Sequence, residues 1–92
     1  MIKNYKTKFG EVDIIAKNRD ETVFIEVKTR LSKRFGLPVE AVNNLKQKKI
    51  INTSKIYMKQ NRIYTCKIRY DVIEVYLSGE KSFINHIKNV FF

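Results

Sequence analysis

Residues 11–28 read EVDIIAKNRDETVFIEVK. This stretch holds five acids, and two of them, Asp13 and Glu26, stand inside its most hydrophobic segments. Residues 11–17 and 22–30 are rich in β-branched side chains and predict two strands. Asn18-Arg19-Asp20-Glu21 between them predicts a polar turn.

A turn centred between Arg19 and Asp20 sets Asp13 against Glu26 and Glu11 against Lys28. Side chains alternate between the faces of a strand. Glu11, Asp13, Glu26 and Lys28 therefore share one face, continued towards the turn by Ile15 and Phe24. Val12, Ile14, Ala16, Val23, Ile25 and Val27 form an unbroken apolar set on the other, and that set is the expected core face. The register depends on the turn, because a slip of one residue exchanges the faces. Arg19-Asp20 is not a favoured pair for a two-residue hairpin, where Asn-Gly is preferred.

Two carboxylates directly opposed on a sheet lie ~5 Å apart at Cβ and repel. A raised pKa, a neighbouring cation or a bound metal relieves that repulsion. Lys28 supplies one positive charge. A hard divalent cation such as Mg²⁺ takes carboxylate oxygens and bridges to phosphate. The other reading is an amphipathic hairpin with a solvated polar face, in which Glu11 and Lys28 form a surface pair worth less than ~1 kcal/mol. Both readings stay open at this point.

Nineteen Lys and Arg against nine Asp and Glu give a net charge of +10 over 92 residues. That excess favours a polyanionic partner, most simply nucleic acid. The length implies a single domain, 1–92, with a limited core. No apolar run reaches the ~18 residues of a membrane span. The start, MIKNYKTK, is not a signal peptide. The single cysteine, Cys66, excludes an intramolecular disulfide and a cysteine-based zinc cluster. A pairing of Cys66 with His86 for nucleophilic catalysis is the weaker reading beside packing and surface roles. These features together imply the cytoplasm.

Ile2 to Lys8 predicts an edge strand or arm, and Leu31 to Pro38 a basic loop. Asn43 is the expected N-cap of a helix over 44–60. Its apolar face carries Ile50, Ile51, Tyr57 and Met58, with Ser54 between them, and Gln47 looks inward. Lys46, Lys48 and Lys49 lie largely outside that stripe and are candidate phosphate contacts. Arg30, Lys33 and Arg34 flank Phe35, a combination suited to nucleic-acid backbone contact and base stacking. Residues 67–77, KIRYDVIEVYL, predict a third long strand. The tail, SFINHIKNVFF, begins as a short helix or strand and ends apolar. An α/β or α+β sheet with a helix packed on it follows.

Asp13 followed by Glu26-Val27-Lys28 fits the D-(spacer)-E-x-K pattern of PD-(D/E)xK nucleases. FGEVDIIA, VFIEVKTR, the FG at 35–36, the EAV at 40–42 and the FINHIKNVF ending resemble the YraN family of uncharacterised restriction-endonuclease-like proteins. The DIIA and IEVK strings are also similar to archaeal Holliday-junction resolvases. The resemblance covers nearly the whole chain. It implies a restriction-endonuclease-like core, a mixed central sheet flanked by helices. It also implies Mg²⁺ or Mn²⁺ held by Asp13, Glu26 and the carbonyl of Val27, with Lys28 orienting or activating the attacking water. Gln47 resembles the extra polar residue that some members carry on the next helix. Glu40 is a weaker candidate near the sheet end, and Asp71 is expected in structural hydrogen bonding rather than at the metal.

The resemblance has one departure. Such proteins usually begin with a helix bearing another site Glu, whereas here no acid precedes Glu11, and the chain reads as starting late. Glu11 is then the expected partial replacement, or the site is incomplete. Loss of that helix is expected to uncover apolar surface and favour a homodimer. The leading expectation is a Mg²⁺-dependent endonuclease acting on DNA, with branched DNA a candidate substrate. The alternative is a basic nucleic-acid-binding module with a vestigial site. An assembly protein docking through its apolar tail is a third, weaker reading.

Overall fold

The structure is a computed structural model that describes residues 1–30, 44–64 and 67–90. In chain order the elements are β1 (Ile2–Thr7), β2 (Gly10–Asn18), β3 (Glu21–Arg30), α1 (Asn44–Gln60), β4 (Ile68–Ser78) and β5 (Lys81–Ile87). The strands form one five-stranded sheet in sequence order. Every neighbouring pair is antiparallel except β3 and β4, which run parallel. A parallel pair needs a crossover connection, and α1 lies within it. The fold is therefore α/β, with the helix where its 3.6-residue periodicity predicts it. The tail, left between helix and strand by the sequence, becomes the edge strand β5.

The hairpin closes in the predicted register, from Asn18↔Glu21 to Ile14↔Ile25. Arg19 takes a left-handed conformation, φ 61°, at the first central position of the turn, where glycine is the easy choice. The ladder stops at Ile14↔Ile25. The expected cross-strand pairs Asp13–Glu26 and Glu11–Lys28 do not belong to it. Instead the Val27 N–H donates to Asp13 Oδ2 at 2.8 Å, so a side chain replaces a backbone acceptor there.

The core also departs from the alternation argument. The central cluster joins Val12, Ile15, Phe24, Tyr70 and Val72 of the sheet to Ile50 and Tyr57 of α1. Tyr57 meets Phe24 and Tyr5 edge-on, with centroids 6.0 and 5.2 Å apart, and Phe24 stacks on Tyr70 at 5.5 Å. The helix thus covers the face of Phe24 and Glu26, not the one expected to form the core. Aromatic volume decides this, because Phe24 and Tyr70 need a partner large enough to fill the space above them. Val23 and Ile25, on the other face, are also buried.

Val12 and Ile15 reach the same cluster although three residues apart, which strict alternation forbids. The pairs Tyr5↔Val12 and Lys3↔Ile14 flank the positions Asn4 and Asp13. Asn4 has φ 54°, and at this irregular step the side-chain alternation reverses. Beyond it, Gly10 lies directly beneath the helix. A Cβ on Gly10 would stand 3.1 Å from Lys49 Cβ and 3.3 Å from Thr53 Oγ1. Glycine there permits the close approach of α1 to β2.

The helix ends in a Schellman arrangement. Ile63 N–H donates to the Met58 carbonyl at 2.8 Å and Arg62 N–H to the Lys59 carbonyl at 3.3 Å, with Arg62 left-handed at φ 54°. In mid-helix, Ser54 Oγ donates to the Ile51 carbonyl at 2.7 Å, so the Tyr70 hydroxyl, 2.6 Å away, donates to Ser54. Burial pushes the Tyr70 phenol up, and the Ser54 contact partly opposes that. Val90 N–H donates to the Tyr70 carbonyl at 2.8 Å, which fastens the segment after β5 to β4.

On the opposite face, buried Asp71 accepts two bonds from Arg69, at 2.9 and 3.0 Å, and one from the Asn89 N–H at 3.0 Å. His86 Nε2 lies 2.7 Å from Asp71 Oδ2. Arg69 also reaches Glu21 at 2.9 Å. Asp71 is thus structural, as expected from the sequence. It ties β4 to β5 and to the segment that follows. Burial alone would push its carboxyl up, but Arg69, the Asn89 amide and His86 outweigh burial and hold it low.

A depressed carboxyl stabilises the fold fully above its ordinary value, 3.8, and loses that contribution as pH falls through the lower folded value. Asp71→Asn should destabilise by ~3 kcal/mol at neutral pH in urea unfolding. The gap from wild type should narrow below pH 3.8. Ser54→Ala removes the hydrogen bond between Ser54 and Tyr70 and should cost about 1 kcal/mol in the same experiment.

Candidate functional site

Between the β2–β3 hairpin and the first turns of α1 lies a cavity of about 400 Å³, lined by Gly10, Glu11, Asp13, Glu26, Leu45, Lys46, Lys49 and Ile50. Two local features open it. The ladder ends just before Asp13, and Gly10 presents no side chain. Asp13 and Glu26, separated by twelve residues of hairpin, line this one space.

Glu26 is the most constrained group in it. Its side chain is 10% exposed, and Lys46 Nζ stands 2.7 Å from Oε1. Burial pushes the Glu26 carboxyl above its ordinary value, Lys46 draws it back, and the neighbouring Asp13 charge raises it again. The net shift is upward, so the ionised form is held under tension. Such tension is common where a carboxylate serves a ligand rather than the fold.

The donor set suits a hard cation. Asp13 and Glu26, with exposed Glu11, line one cavity, and Glu26 already holds a positive charge, the Lys46 ammonium, at contact distance. No group of three or more His, Cys, Asp or Glu is placed to hold a metal among the described residues. The carboxylates that line the cavity are Asp13 and Glu26, with Glu11 at its exposed edge.

The residues singled out in the sequence separate into groups. Asp13, Glu26 and Glu11 line the cavity, with Glu11 exposed and Asp13 and Glu26 partly covered. Val27 adjoins them through its N–H to Asp13. Lys28 is half-buried on β3 beside Glu74 of β4, and it is not among the cavity's lining residues. Gln47 is half-buried on α1 and likewise outside the lining. Lys46 and Lys49 line the cavity, while Lys48 is exposed elsewhere on the helix. The Arg30 side chain, Lys33, Arg34, Phe35 and Glu40 lie outside the described residues, as do Asn43, Cys66 and the terminal Phe91-Phe92.

Sequence reading missed the pairing of Lys46 with Glu26. Lys46 stands one helical turn before Ile50, which packs in the core, so it projects over the sheet at the helix's start. That spacing was the available signal. Its target was not, because the crossover that brings α1 over β3 is a tertiary feature. Glu74 was also missed. It is fully buried on β4 and accepts from Asn85 Nδ2 at 3.1 Å.

Comparison with known proteins supplies a relationship. The family described as "Uncharacterised protein family UPF0102" matches residues 1–75. A UPF0102 protein of Clostridioides difficile is 51% identical over 89 residues, covering 97% of this chain and 76% of the relative. A UPF0102 protein of Caldanaerobacter subterraneus subsp. tengcongensis is 47% identical over 92 residues, covering 97% and 75%. One from Dictyoglomus turgidum is 41% identical over 91 residues, covering 97% and 77%.

The raised Glu26 carboxyl generates a stability test. A carboxyl raised in the folded state destabilises when ionised, and that penalty vanishes below the ordinary value of 4.5. Glu26→Gln should therefore melt above wild type at pH 7, and the two melting temperatures should converge as pH falls below 4.5. A variant that melts lower at pH 7 would show that Glu26 serves the fold.

Proposed function

The chain belongs to the uncharacterised protein family UPF0102, the YraN family, and from that premise we propose that it is a divalent-metal-dependent nuclease acting on DNA. The observation that carries this reading is the placement of Asp13 and Glu26 in one cavity, with Glu26 largely covered and already holding a cation. The mixed sheet, with α1 in the crossover between the parallel strands β3 and β4, is compatible with the restriction-endonuclease-like core that the sequence resembles. The net charge of +10 supports a polyanionic substrate.

In this reading Asp13, Glu26 and the Val27 carbonyl would hold Mg²⁺ or Mn²⁺. The ion, when bound, supplies charge neutralisation at the phosphate and a more acidic water. The Val27 N–H fixes the Asp13 carboxylate in one orientation, so a ligand oxygen stands ready without rearrangement. Lys28, two residues beyond Glu26 on β3, orients the attacking water. Glu11 and Gln47 are auxiliary groups at the edge of the site. Lys46, Lys48 and Lys49 contact phosphates, together with Arg30, Lys33 and Arg34 of the basic segment. Branched DNA is the preferred substrate class on the same resemblance.

A second reading is favoured by one observation. Only two carboxylates line the cavity apart from exposed Glu11, and no larger metal-binding group occurs among the described residues. A basic DNA-binding module with a vestigial site would look the same. The two separate in a cleavage assay on a four-way junction, a flap and a linear duplex, with Mg²⁺ and with Mn²⁺. The nuclease reading expects metal-dependent products that fall at least ~100-fold in Asp13→Ala and Glu26→Ala. DNA binding without products under either metal would establish the binding module.

A further inference from the structure

Lys46 stands where a cation belongs. Its Nζ lies 2.7 Å from Glu26 Oε1, inside the lining of the cavity that Asp13 shares. The two ends of this pair differ in surroundings. Glu26 is nearly buried, whereas the Lys46 side chain is 46% exposed and projects from the opening turns of α1. The carboxylate is fixed by its strand. The lysine is a long, flexible side chain that can withdraw towards solvent at little cost.

We propose that Lys46 is a resident counter-ion that a divalent cation displaces from Glu26, and that the displaced ammonium then serves a nucleic-acid phosphate at the mouth of the cavity. The inference rests on the metal-site reading above and adds a coupling to it. In the metal-free protein, Lys46 neutralises a buried carboxylate that would otherwise repel Asp13. A divalent ion on the same oxygens cannot share the space with an ammonium, since two positive charges would then stand in contact. Lys46 leaves, and its charge joins that of exposed Lys49, which lines the same cavity. One more cation then faces the phosphate backbone. By linkage, a nucleic acid that holds the released Lys46 must tighten metal binding by the same factor that the metal tightens nucleic-acid binding.

The test uses Ca²⁺, which takes the same carboxylate oxygens. Calorimetric titrations compare wild type, Lys46→Gln and Glu26→Gln, and salt-dependent DNA binding is measured for the first two with and without Ca²⁺. Lys46→Gln should bind Ca²⁺ about fivefold more tightly than wild type, because the ion no longer displaces a charge. Glu26→Gln should lose the binding. Ca²⁺ should steepen the log–log salt slope of wild-type DNA binding by about 0.9, the release of one counterion, and leave the slope of Lys46→Gln unchanged. Equal or weaker Ca²⁺ binding in Lys46→Gln, or the same steepening in both proteins, would overturn the exchange and leave the metal site standing. No Ca²⁺ binding in any of the three, the unopposed Lys46→Gln included, would remove the metal site and the exchange with it.

Discussion

Tyr57 meets Phe24 and Tyr5 edge-on, and Phe24 in turn lies against Tyr70. These rings fix the position of α1 on the sheet, and the site depends on that position. With Tyr57 seated on Phe24, the preceding turns of the helix run over β2 towards Gly10, where the absent Cβ lets them descend. The first turns then overhang Glu26, and Lys46 reaches it. If Gly10 carried a side chain, Lys49 and Thr53 would be lifted and the roof of the cavity would move with them.

The region beneath that roof works against its own stability. Glu26 is desolvated beside Asp13, and Lys46 offsets only part of the cost. The β2–β3 ladder breaks at the same point, and the Asp13 carboxylate takes over the Val27 amide. A regular hairpin would have kept the backbone pairing and turned the acids outward. An irregular strand step, a broken ladder and a buried acid in one place form the kind of local conflict that proteins retain where a ligand is bound. The opposite face lacks this tension. There Asp71 is satisfied by Arg69, Asn89 and His86, and its carboxyl is held low rather than high. Asp71 and Glu26, on opposite faces of one sheet, thus behave in opposite ways, one secured by its partners and one poised.

Much of the hairpin was legible in the sequence. The register from Asn18↔Glu21 to Ile14↔Ile25 follows from a turn centred between Arg19 and Asp20, and alternation then assigns the faces. The start of α1 follows Asn43, the expected N-cap, and Ile50, Ser54 and Tyr57 point inward as the apolar spacing requires. The choice of covered face was not legible. Both faces of β3 carry hydrophobic residues, as a central strand requires. Alternation separates the two sets without saying which lies under the helix.

Local features follow from the chain alone: the strands, the helix, the hairpin register and the two acids that the turn brings near one another. Each depends on residues a few positions apart, where backbone geometry leaves few alternatives. Tertiary structure alone decided the parallel pairing of β3 with β4, the face on which α1 lies, the reversal of alternation near Asp13 and the contact between Lys46 and Glu26. These join segments far apart in the chain, and the selecting force is the packing of aromatic volume and the cost of burying charge. Neither is defined until the layers meet.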